Sequence, residues 1–232
     1  MRLILPKMKK FWSPALIMPM SNGLAGLPVL SFVATLSGGS NAGGTTTFSG
    51  VNFGTAFSTR FLISVVGFNN VVFSGSTMTA TIGGNTATVF FANQATNSAV
   101  GIFYVGVSSG TSGTVTVTQS GGSVFTTPVG ALYSVDSSLL LSTTPTTASN
   151  TATSVTTIST SSFTQTVNGF TILGLSTGGG TSSYVPPTGF VNDTAYTDLF
   201  MHLAPVLSTS TGTLTYSWTG SSNASIAAAS WR

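Results

Sequence analysis

Apolar and polar residues alternate with a period of two along most of this chain, most clearly over residues 78–119. Met78, Ala80 and Ile82 alternate with Thr79 and Thr81, and Gly83-Gly84-Asn85 follows. Ala87, Val89 and Phe91 then alternate with Thr88 and Phe90. Two such runs around residues that tolerate positive φ predict a β-hairpin. Residues 99–107 are almost all apolar, as in a strand with both faces covered. Thr114 to Gln119 alternates Thr with Val115 and Val117, which predicts one buried face. The stretch therefore reads as three or four consecutive antiparallel strands.

The same pattern extends to both sides. Residues 27–36 predict a first strand, with Pro28 pointing to an edge or a strand start. Residues 37–47 read as a Gly/Ser/Thr loop, 51–53 as a short strand, 61–66 and 129–135 as clear ones. Residues 142–162 are rich in Thr, Ser and Ala, which fits a linker or, given the β propensity of Thr, a long low-complexity strand. Phe163 to Val167 and Phe170 to Leu175 flank Asn168-Gly169, a second hairpin signature. Residues 195–203 fit a strand or a short helix, and 213–218 and 226–231 predict closing strands. Ten to twelve strands without helical periodicity predict an all-β fold, an antiparallel β-sandwich of jelly-roll type with an extended N-terminal arm. The expected division is an arm over 1–26 and a β-sandwich domain over 27–232, with a subdivision point near 136–162. Ile63, Val65, Ile82, Val89, Ile102, Tyr104, Val115, Val117, Leu132 and Ile172 fall on the apolar phase and are expected to share one core.

Composition narrows the function classes. Only 4% of the 232 residues are charged, and the acids are Asp136, Asp193 and Asp198. A surface with so little charge repulsion suits a protein held against neighbours in an assembly, or one outside the cell. The chain has no Cys, which excludes disulfides and zinc-thiolate sites. The net charge of +3 sits mostly in Arg2, Lys7, Lys9 and Lys10, so the body is nearly neutral. No basic stripe interleaved with aromatics is present for nucleic acid.

Candidate chemistry is sparse. His202 is the only histidine, and with Asp193 and Asp198 it reads as a structural histidine or a weak carboxylate–histidine site. No DxDxDG or GxxxxGK spacing occurs. The expectation is no catalytic residue, no cofactor and no metal site. Tyr184, Tyr196, Tyr216 and Trp218 read as core residues, or as platforms for a sugar ring. The first twenty residues, MRLILPKMKKFWSPALIMPM, admit three readings: an uncleaved docking arm, a signal peptide or an interfacial membrane anchor. As a docking arm they offer Leu3, Leu5, Lys7, Lys9, Lys10, Phe11, Trp12 and Ile17 to a partner.

The runs ATIGGNTATVFF and AVGIFYVGVSSGTSGTVTVTQSGG, followed by VGALYSV and the terminal ASIAAASWR, resemble small β-rich structural proteins of tailed bacteriophages. The resemblance covers residues 60–135 and the last strand, and is one of strand pattern and composition. It implies a non-enzymatic virion component such as a capsid decoration, minor tail or fibre-associated protein. Its partners would be other virion proteins, in a homo-oligomer or symmetric assembly, with neither nucleic acid nor membrane among them. A carbohydrate-binding or adhesive module, secreted or on a cell surface and taking a surface glycan, is the alternative.

Overall fold

The computed structural model describes residues 27–69, 77–93, 98–119, 126–140, 142–178, 182–193 and 199–232. The arm, with Leu3, Leu5, Lys7, Lys9, Lys10, Phe11, Trp12 and Ile17, lies outside the described residues, as do Tyr196 and Asp198. The described chain is nearly all antiparallel β, arranged as stacked sheets. A central sheet has the order β1 (Ser31–Leu36), β10 (Thr126–Asp136), β4 (Arg60–Asn69), β8 (Ser98–Gly106), β7 (Thr88–Asn93). One face is covered by a sheet ordered β2 (Ser40–Ala42), β3 (Thr45–Asn52), β9 (Ser112–Gln119), β5 (Met78–Ile82), β6 (Asn85–Thr86). The other is covered by β11 (Thr146–Ser159), β18 (Thr215–Trp231), β13 (Phe170–Thr177), β16 (Leu199–Leu203), β15 (Val191–Asn192), with β14 (Ser182–Val185) also paired to β18. A small ribbon joins β12 (Phe163–Gln165) to β17 (Ser210–Gly212).

Alternation along the central strands divides the interior. Leu62, Val66, Phe68, Phe103 and Leu132 face Phe48, Ile82, Val115 and Val117 of the first cover sheet. Their neighbours Ile63, Val65, Ile102, Tyr104 and Tyr133 face Phe170, Ile172, Ala227, Ala229 and Trp231 of the second. A third cluster lies beyond, where Leu173, Leu175, Ile226 and Ala228 meet Ile158, Tyr216 and Trp218. The residues expected to share one core are therefore split between opposite faces of one sheet, and Val89 is only half-buried against the first. A period of two cannot distinguish one core from two when both faces of a strand are apolar.

Five local expectations are corrected by the same logic. The hairpin at Gly83-Gly84 pairs only Thr81 with Thr86 and Ile82 with Asn85. The chain then moves to the central sheet, where β7 pairs β8; Val89 packs on the first core and Phe90 on the second, so this strand needs cover on both faces. β8 and β9 are likewise not neighbours, because apolar β8 is central and half-polar β9 belongs to the cover sheet. At Asn168-Gly169 the chain does turn, with Asn168 at φ 64°, but β12 pairs β17 while β13 lies between β16 and β18. All of β13 is buried, which demands an interior position. A side chain at Gly169 would collide with the Trp231 carbonyl. Residues 37–47 carry β2 and the start of β3 rather than a plain loop, since Thr46 and Phe48 point inward. Thr146–Ser159 is a long strand, and the two closing strands are one, β18.

Candidate functional site

Ionisable groups come together at one corner of the second core. Tyr133 sits on the inward phase of β10, His202 on β16, and Asp193 directly after β15. The Tyr133 hydroxyl donates to Asp193 Oδ2 at 2.6 Å, and His202 Nδ1 lies 2.7 Å from the same oxygen. The Tyr133 ring stands edge-on to His202 at 5.9 Å and to Phe32 of β1 at 5.8 Å. Asp193 is 6% exposed and His202 19%. Burial, then the adjacent Asp193 carboxylate, hold the Tyr133 phenol well above its usual range. The cluster ties the central sheet to the sheet behind it. Asp193 and His202 thus meet, while Asp198, four residues before His202, lies outside the described residues. Among the described residues no group of three potential ligands is placed to hold a metal, and no hydroxyl nucleophile is hydrogen-bonded to His202.

Around this cluster the surface is apolar. Leu27, Pro28, Val29 and Leu30, the first described residues after the arm, form a groove of about 260 Å³ with Ala204 and Pro205. Five large hydrophobic residues are exposed among the described ones: Val29 at 71%, Phe32 at 39%, Val185, Val191 and Leu207 at 85%. Three of them belong to this corner, and a fourth follows it closely in the chain. Val29 lines the groove, Phe32 touches Tyr133, Val191 is in register with His202, and Leu207 follows Pro205 by two residues.

At the far end of β4 lies a residue that pattern reading passed over. Arg60 is 1% exposed. Its Nε donates to the Val107 carbonyl at 2.7 Å, and Nη2 to those of Ser109 and Gly110 at 2.7 Å each. Nη1 spreads over the carbonyls of Phe53, Gly54 and Thr55 at 3.2–3.4 Å. The five donors of a guanidinium are thus engaged by two loops, with no carboxylate partner among the described residues. The only sequence signal was a cation abutting the apolar run Phe61-Leu62-Ile63. These loops border a polar groove of about 640 Å³ whose lining includes Thr81, Asn85, Ser109, Ser112 and Thr116.

Of the candidate sugar platforms, Tyr184, Tyr216 and Trp218 are not placed there. Tyr216 is 1% and Trp218 5% exposed, both in the third cluster, and Tyr184 packs edge-on to Tyr216. No helix among the described residues is long and apolar enough to cross a membrane. No protein-family model, no curated protein and no solved structure matches this chain.

Proposed function

We propose that this chain is a non-enzymatic structural protein of a virion, of the kind found in tailed phages, assembling with other coat or tail proteins through its apolar N-terminal arm. The observation that carries the reading is the concentration of exposed apolar side chains where that arm joins the body. Solvent-exposed patches of this kind mark interaction sites. A body with almost no charge lacks the repulsion that keeps free monomers apart. Strand order adds support. With β6 and β7 counted as one strand, and β2 as an appendage of β3, the first eight strands run 1-8-3-6-5 in the central sheet and 2-7-4-5 in its cover, so strand 5 lies in both, and its pairing beside strand 6 is the one departure from a plain jelly-roll order. Two interleaved Greek keys in a jelly roll produce the rest of that order, and capsid domains commonly use it. The arm supplies Phe11 and Trp12 as anchors, with Leu3, Leu5 and Ile17 beside them, while Lys7, Lys9 and Lys10 face acidic groups on the partner. Deleting residues 1–20 is expected to leave a folded body that no longer enters particles; normal incorporation of the deletion variant overturns the reading.

A second reading, an adhesive module at a cell surface, draws on the polar groove beside the Arg60 loops. Its uncharged Ser, Thr and Asn lining suits a neutral glycan. Loss of glycan binding on Asn85→Ala, with incorporation unchanged, is the result that favours it.

A further inference from the structure

We propose that the apolar corner at the arm's root receives the arm of a neighbouring copy of this same chain, with Phe11 or Trp12 seated in the groove between residues 27–30 and Ala204-Pro205. This rests on the tether reading above and names the tether's acceptor.

Three observations lead there. The groove is small, about 260 Å³, so it suits one large anchoring side chain rather than a whole segment. Val29 in its lining is 71% exposed, and Leu207, two residues beyond the lining Pro205, is 85% exposed. Lastly, the chain that precedes Leu27 has the apolar chemistry this surface lacks a partner for, and it starts at the surface itself.

Geometry favours a second copy over the chain's own arm. Trp12 lies fifteen residues before Leu27, a distance that an extended chain converts to about 50 Å. Pro14 and Pro19 between them hold φ near −65° and favour extended backbone in the residues they follow. A segment leaving the corner in that form carries its anchors away from its own groove and toward a neighbour's. Every copy holds one arm and one groove, so two copies exchange arms in a closed pair or the contact propagates head-to-tail into a ring or a filament. Among the described residues the corner supplies no free carboxylate, because Asp193 is nearly sealed and accepts from both Tyr133 and His202. The contact is therefore apolar, and the arm's lysines are left for acidic groups elsewhere in the assembly.

The absence of native cysteine gives a direct test in the full-length chain. Ser13→Cys lies next to Trp12, and Ser208→Cys next to Leu207, so both leave the proposed anchors and rim intact. Mixing the two single variants and oxidising, or adding a short bismaleimide, is expected to give an interchain dimer that neither variant forms alone. Adding Val29→Glu and Leu207→Glu to the Ser208→Cys chain should abolish that dimer; both positions are exposed, so the fold is retained. Persistence of the dimer overturns the proposal. So does a double Cys variant that closes only within one chain, since the arm then occupies its own groove. Absence of any cross-link also overturns it. If arm deletion still blocks incorporation in that case, the tether reading stands and its acceptor is another protein.

Discussion

Arg60 shows how much one side chain can hold in a protein this poor in charge. A buried cation without a counter-ion is costly unless its donors are satisfied. Here six carbonyls, on residues 5 to 50 positions away in sequence, do so and are themselves satisfied in return. Arg60→Lys keeps the charge but has three donors in place of five. Each carbonyl left dry costs roughly 1–3 kcal/mol, so urea unfolding should show a loss of at least ~2 kcal/mol, and Arg60→Met more. Asp136 works at a smaller scale. Its Oδ1 accepts from the Thr59 hydroxyl at 2.5 Å and from the Ser138 hydroxyl and amide. Those bonds, Thr59 first, hold the carboxyl below its usual range. A depressed acid contributes stability that is complete above the ordinary Asp pKa and lost as pH falls through the lower folded value. Melting temperature measured from pH 5 down to pH 2 should thus fall less steeply in Asp136→Asn than in the parent.

At the scale of the element, β9, the middle strand of the first cover sheet, makes the clearest contrast. Val115 and Val117 are fully buried, whereas Thr114, Thr116 and Thr118 face outward. Val117→Asp places an unpaired charge between two sheets and should unfold or aggregate the protein, a loss above ~4 kcal/mol. Thr116→Asp, one residue away on the other face, should shift stability by less than ~1 kcal/mol. A soluble Val117→Asp variant with an unchanged melting temperature would remove this strand from the cover sheet. The alternation that sets this contrast was readable beforehand, because side-chain direction along a strand is a local property. What the strand pairs with was not. Gly83-Gly84 and Asn168-Gly169 look like hairpin turns, yet each hands the chain to another sheet after a few residues.

Across the whole molecule, the sheets are joined by apolar contact and by a few polar stitches. Ser98 and Ser225 meet at 3.1 Å, Ser176 donates to the Phe68 carbonyl, and Tyr133, Asp193 and His202 close the opposite corner. Tyr133→Phe removes one donor to a buried carboxylate and should cost ~1–3 kcal/mol in thermal or urea unfolding. His202→Ala should lower stability modestly while leaving particle incorporation at the parental level, since on the proposed reading this cluster is a brace. A variant that stays as stable as the parent yet fails to incorporate would instead make the cluster part of the interface.

The amino-acid sequence by itself determined the all-β class, the position of most strands and the phase of each buried face. Those follow from period-two alternation and turn residues, which act over a few neighbours. The candidate corner was only half legible: the apolar arm and the nearness of Asp193 to His202 in the chain could be read, whereas Tyr133 reads simply as a core aromatic. Tertiary structure alone decided that there are two main cores and not one, because strands such as β4 and β13 are apolar on both faces and alternation cannot assign them a sheet. It also decided the Arg60 cage and the meeting of Phe32, Tyr133 and Asp193, since each joins groups far apart in the chain through pairings that no local pattern encodes.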